Sequence, residues 1–421
     1  MEQFRDIVLS FSGQTKEDEQ LPLRLVAPNR IDDYITLRDD RFDAYYTTDR
    51  RGATAVFSLR DNRYASAMRV ALHEYVHHLQ HGPGRPAMPP WYREGMAEYL
   101  SGFKVERSGR WLIGGVQLGR AMELQQGRWL PLKQLVEDGL PDERLSMWYA
   151  QSWFLVHYLA EFEPAALRSF ERRYAQSPSP RLLLNILRTD YADLESKLRA
   201  YLRRGQMMAL AIQPTPVDPT LTTRPLPDEE RDLLLGTIGL GGRELTKVRE
   251  IAASRPPESL IQLTLVEKLE MEGETDEALR RLEDFLTLRP GVARGLAQKA
   301  SLLLHQAADI ESAEARRKAL RRARDAALEA NRANPDDVVP FEVLIQVGLS
   351  SDLLSRKNME VSIENAQGLA PHRRDLILLE AAFLAQQGEI PAARALAYQV
   401  AESAEHPPLR NAARSLLDSL N

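Results

Sequence analysis

Two histidines and a glutamate within five residues carry the first chemical signal in this chain. In Leu72-His73-Glu74-Tyr75-Val76-His77-His78, His73 and His77 are four apart. On a helix they stand one turn above each other and can offer imidazole nitrogens to a single ion. Met68, Leu72, Val76 and Leu79 repeat at helical spacing, with His73 and His77 one residue round from that apolar stripe, at the edge of the core. Glu74 sits beside the first histidine, where a carboxylate can take the proton from an attacking water instead of binding the ion. Two ligands do not hold a catalytic zinc, and a chain with no cysteine must find its third in nitrogen or oxygen.

A second stretch, Pro89-Pro90-Trp91-Tyr92-Arg93-Glu94-Gly95-Met96-Ala97-Glu98-Tyr99, supplies a candidate for that ligand. Proline early and Gly102 late bracket a short helix. Glu94 and Glu98 share one face of it, so one can reach the ion while the other accepts a hydrogen bond from a ligand histidine. His81 continues the spacing of His73 and His77, but three successive turns of a straight helix rarely converge on one ion. It is assigned to solvent or substrate, and His78 to no chemical role.

The pairing of His-Glu-x-x-His with Trp-x-x-Glu-Gly-x-Ala-Glu-Tyr resembles the gluzincin metallopeptidases, in particular the bacterial peptidase MA-like branch. A metzincin pattern fails, because its glycine and third histidine would fall at Gln80 and Pro83. The gluzincin resemblance implies that His73, His77 and Glu94 bind Zn2+, that Glu74 is the general base and that Glu98 is the outer partner of His73. It further implies a peptide or protein substrate and an α+β zincin-like fold, with a small sheet over the active-site helix and a helical lower half. Trp148 to Leu159 is similar to a family stretch in which a helix returns to the site. Tyr149 is then the first candidate to stabilise the oxyanion of acyl transfer and His157 the second, although both residue types also serve as plain helix packing.

Around these motifs the pattern predicts a helix end over residues 2 to 12, a strand over Leu21 to Val26 and a short helix from Ile31 to Leu37. Asp43 to Thr48 and Ala53 to Leu59 read as a hairpin turning at Arg50-Arg51-Gly52. By the resemblance, Ala53 to Leu59 borders the cleft as the edge strand that pairs with substrate. A further hairpin turns at Ser108-Gly109-Arg110, and helices over Pro164 to Tyr174 and Asp190 to Arg204 close the domain.

The 421 residues allow two or three domains. A net charge of −5 with no basic run argues against nucleic acid as main partner, and no apolar run reaches membrane-spanning length. No signal peptide follows Met1, whereas members of the family are usually exported. The expected compartment is therefore the bacterial envelope or periplasm if an export signal has been trimmed, and the cytoplasm otherwise. Pro214, Pro216, Pro219, Pro225 and Pro227 mark residues 213–227 as a linker between a peptidase domain, 1–212, and an all-α domain, 228–421. In the latter, Gly273, Ala278, Leu282 and Pro290 resemble a tetratricopeptide unit, echoed loosely by Gly388, Ala393 and Pro407. Prolines at 290, 335, 371 and 407 are expected to end helices of a degenerate tetratricopeptide-like solenoid, with an insertion in the first interval. Such arrays expose a concave surface that binds protein segments. Two function classes follow: a zinc metallopeptidase whose repeats recruit a protein, and a catalytically silent peptidase-like scaffold that binds proteins through its repeats.

Overall fold

Short alternating stretches and one glycine turn build the first sheet of the computed structural model, which describes residues 4, 5, 8, 23–27, 44–57, 67–80, 88–139, 141, 143–176, 179–214, 222–240, 245–403 and 407–420. Strands β1 (Leu23–Val26), β2 (Tyr45–Asp49) and β3 (Gly52–Val56) lie in the order β1-β3-β2, with β1 parallel to β3 and Leu23 level with Ala53. The sheet corrects one expectation: β3 is the central strand and is buried along its whole length. Its backbone groups are paired on both sides, so it has no free edge to offer a substrate strand. The helices expected over residues 2 to 12 and Ile31 to Leu37 fall largely or wholly outside the described residues, as does His81.

Two compact units divide the chain. In the first, α1 (Ala67–Gln80) buries Ala71, Leu72, Tyr75, Val76 and Leu79, while Met68, expected in that stripe, is exposed. Helix α2 (Pro90–Ser101) has proline as its first residue, where the missing N–H has no partner to lose, and the Gly102 N–H closes its end onto the Glu98 and Tyr99 carbonyls. Then come β4 (Lys104–Val105), β5 (Trp111–Ile113), α3 (Leu118–Gln126), α4 (Leu132–Glu137), α5 (Leu145–Phe162), α6 (Pro164–Gln176), α7 (Leu182–Leu187) and α8 (Tyr191–Arg204). An unforeseen strand, β6 (Leu210–Ile212), pairs antiparallel with β5; three residues are too short for an alternation to show in sequence.

Helix α5 is apolar on all sides because it is the spine of this unit, with Trp148, Trp153, Phe154 and Leu155 fully buried. Helix α2 packs against it so closely that a Cβ on Gly95 would lie 2.4 Å from the Ser152 carbonyl oxygen and 2.7 Å from Val156 Cγ2. The glycine of the second motif is therefore a packing requirement, set between two glutamates that face elsewhere.

The second unit comprises residues 222–421, together with the turn Thr48–Gly52 and residues 30–38, which lie outside the described set. Residues 222–227 have no regular structure, and 215–221 of the expected linker lie outside the described residues. Helices α9 (Asp228–Leu240) and α10 (Leu245–Ala253) precede the pairs α11 (Ile261–Met271) with α12 (Thr275–Leu288), and α13 (Ala293–Ala308) with α14 (Ala313–Ala333). The pairs α15 (Val338–Ser350) with α16 (Arg356–Leu369), and α17 (Arg374–Gln386) with α18 (Ile390–Ser403), follow, and α19 (Pro407–Ser419) ends the array. From α10 onward each helix packs on the next, α9 packs on α11, and the first helices of successive pairs, α11, α13, α15 and α17, also pack on one another, which is the construction of a helical repeat array. Gly273 and Gly388 occupy the turns inside two pairs at φ of 80° and 79°, while Ala278 and Ala393 are fully buried. Pro290, Pro335 and Pro371 each stand two residues beyond a helix end, whereas Pro407 is the first residue of α19. The expected insertion is the added length of α14, which runs for 21 residues.

Gly95→Ala should push α2 off α5, because the clash is with backbone that cannot rotate away. Overpacking of this kind costs about 1–3 kcal/mol, read as a lower midpoint in urea unfolding followed by circular dichroism.

Candidate metal centre

Helical spacing on α1 and the packing of α2 against it bring three side chains to one point. His73 Nε2 and His77 Nε2 are 3.1 Å apart, and Glu94 Oε2 lies 3.3 Å from the first and 3.2 Å from the second. Among the described residues these three form the one group of histidine and carboxylate atoms close enough to share an ion. A tetrahedral zinc with bonds of about 2.0–2.1 Å sets its ligand atoms about 3.3–3.4 Å apart, so the donors stand almost at ligand spacing. Glu94 Oε2 is buried, and the two imidazole nitrogens are its near polar neighbours among the described residues. Nitrogen and oxygen donors in this ratio fit a catalytic rather than a structural zinc site, with one position left for water or substrate.

The charges are strongly coupled. Burial works against ionisation of both partners, yet the Glu94 carboxylate pushes His77 up to about 9, and the imidazoles in turn hold Glu94 far below the usual carboxylate range.

The Nδ1 of His77 is 3.4 Å from Gln80 Oε1, while the Gln80 amide donates to the Arg93 carbonyl at 3.2 Å. Gln80 thus fixes the ring with Nε2 directed at the site and ties α1 to α2, a role that sequence reasoning missed. The available signal was its position three residues after His77 on the same helix face. His78 points the other way: it is buried, stacks on Tyr75 with 5.9 Å between ring centroids and lies 3.5 Å from the Tyr46 hydroxyl.

Glu74 is buried, and desolvation raises its pKa, although His73 and His77 pull the other way. A carboxylate displaced upward by burial is a stronger proton acceptor than one in water.

Glu98 departs from expectation. Its Oε1 accepts from the Arg120 guanidinium on α3, and its buried Oε2 accepts no hydrogen bond among the described residues. Despite the cost of burial, Arg120 first and His73 second hold the Glu98 carboxyl low, so the histidine feels its charge without a direct bond. The partner expected to be His73 is Arg120 because α3 brings a bidentate cation within reach. Arg120 also lies over the Tyr149 ring, 5.0 Å from its centroid. It was missed because nothing in the residues around it marks it as part of the site.

The two oxyanion candidates separate cleanly. Tyr149 is half-buried, and desolvation followed by the Glu94 charge pushes its hydroxyl above the ordinary tyrosine range, which keeps it a proton donor beside the carboxylates. His157 is fully buried, with Nε2 2.8 Å from the Gly114 carbonyl and Nδ1 2.8 Å from the Tyr201 hydroxyl. Both nitrogens are occupied, so His157 is a core residue with none to spare for an oxyanion.

No protein-family model matches the chain, and no curated protein matches it in sequence. Among solved structures it is similar to a thermophilic TPR protein from Thermus thermophilus, at 22% identity and a TM-score of 0.37, over 45% of this chain and 98% of that one. At that score the likeness carries no argument about the site.

Arg120→Met should strand the buried Glu98 charge, costing up to about 3 kcal/mol at pH 7. Glu98 is depressed when folded, so its contribution is present above its unfolded pKa of about 4.3 and is lost as pH falls through the folded value. Urea midpoints of parent and variant should differ most at neutral pH and converge only as the pH falls below about 4.

Proposed function

We propose that the first unit is a zinc-dependent peptidase and that the helical repeats recruit its protein substrate or a partner. The observation that carries this reading is the convergence of His73 Nε2, His77 Nε2 and Glu94 Oε2 within 3.1–3.3 Å of one another, with a buried Glu74 next to the first histidine. His73, His77 and Glu94 would hold the metal. When bound, zinc supplies Lewis acidity to the scissile carbonyl and to water. Glu74 accepts the proton of the attacking water and returns it to the leaving amine. Tyr149 donates a hydrogen bond to the oxygen on which negative charge develops, its ring held in place by Arg120. Gln80 holds the His77 ring with Nε2 turned toward His73 and Glu94.

A catalytically silent scaffold is the second reading, and the stacked helix pairs from α11 to α18 favour it, because such arrays present long binding surfaces whether or not a neighbouring site works. The two readings part at Glu74, which has a task only in an enzyme.

Elemental analysis should find one zinc per chain in the parent and none in His77→Ala. Glu74→Gln should keep its zinc and lose about 10²- to 10⁴-fold in peptide hydrolysis, the usual size of general-base catalysis. Zinc-loaded protein that cleaves no peptide in a broad library, or cleaves equally well with Glu74→Gln, would leave the scaffold reading in possession.

A further inference from the structure

The second unit contains a ligand of its own making. The turn Thr48–Gly52 is far in sequence from the helices of that unit, yet its two arginines end among their side chains. One guanidinium nitrogen of Arg50 lies 3.2 Å from Glu342 and 3.4 Å from the Ser301 hydroxyl, and another lies 4.0 Å from Glu270. Arg51 is 3.4 Å from both Asp337 and Glu267. The backbone is read as well: His372 Nε2 lies 3.0 Å from the Asp49 carbonyl oxygen, while the Arg51 N–H donates to the Asp49 side chain at 2.7 Å and keeps the turn closed.

Every one of these partners sits on or immediately before α11, α13, α15 or α17, the first helices of successive pairs, which pack on one another into one face. Four carboxylates on that face meet two guanidinium groups. Arg294 and Arg373 of the repeats bind Glu267 at 2.6 Å and Glu342 at 2.7 Å, so those two carboxylates are oriented by the array itself. Preorganised acids, a hydroxyl and an imidazole facing a backbone carbonyl, spread over four helices, form a recognition surface for an extended or turning basic segment. Isolated surface ion pairs need no such common face.

We propose that this face of the repeats binds arginine-bearing segments of a protein partner, and that Asp49-Arg50-Arg51 is the internal occupant such a segment displaces. The proposal gives the recruiting role of the repeats its chemistry and does not depend on zinc. Specificity is for arginine over lysine, because two neighbouring carboxylates present planar acceptors to a planar fork.

The test uses the full chain in EDTA, so that no outcome depends on the metal. A fluorescent peptide of residues 45–56 is titrated by anisotropy into the parent and into Arg50→Ala/Arg51→Ala. The vacated variant should bind at least about tenfold more tightly than the parent, whose own turn competes. Adding Glu267→Gln/Glu342→Gln to that variant, replacing both peptide arginines by lysine, or raising the salt to about 0.5 M should each weaken binding severalfold or more. Absence of binding to the folded, vacated variant, or binding indifferent to the two glutamine substitutions, overturns the proposal. If the vacated variant does not fold, amide exchange in the parent decides. Saturating peptide should speed exchange across residues 44–57, and unchanged exchange there counts equally against it.

Discussion

Helix α2 has no room for a side chain where it meets α5, and much of the first unit depends on that contact. Gly95 lies against the Ser152 carbonyl, and its neighbour Glu94 is thereby carried to the imidazoles on α1. One turn further along, Glu98 is carried to Arg120 on α3. A single close helix crossing thus sets the positions of one carboxylate facing a candidate metal position and another facing a cation. The polar site is a by-product of apolar packing: fully buried Trp91, Trp148 and Trp153 fill the space around the crossing, and the charged groups take the edge that remains.

Electrostatics then differ between neighbours four residues apart. Glu94 faces two nitrogens that can share an ion with it, while Glu98 faces a guanidinium that already satisfies half of its carboxylate. Both sit on one helix face, and only the elements packed opposite, α1 for one and α3 for the other, decide their roles. Tyr149 joins the second group through the face of its ring, so the wall beside the candidate centre is a stack of phenol, guanidinium and carboxylate.

Local spacing made His73 and His77 legible in the sequence, because helical period places i and i+4 together whatever the tertiary fold, whereas Glu94 was singled out from Glu98 only by the resemblance of the second motif. The helix pairs were legible for a similar reason: glycine at a positive φ in the turns at 273 and 388, alanine at the tight contacts and proline after helix ends are demands of local geometry. What escaped was non-local. The bond of Glu98 to Arg120 spans 22 residues, and the burial of His157 between Gly114 and Tyr201 spans more than forty on either side. The central place of β3 depends on pairing with both β1 and β2, and the strand's own composition does not state who its neighbours are. Gln80 lay within the legible range, but an amide carries no chemical signature until its two partners are seen.

His157 has a consequence of another kind. Its ring joins the carbonyl that follows β5 to the hydroxyl of Tyr201 on α8, and burial lowers its pKa below the ordinary imidazole value. Protons are then taken up more readily by the unfolded chain than by the folded core. Below about pH 6.5 that imbalance weighs against the folded state by about 1.4 kcal/mol for each further unit, until the buried ring itself is protonated. The histidine least available for chemistry is therefore an acid-labile pin, one that counts against the folded first unit as the pH falls.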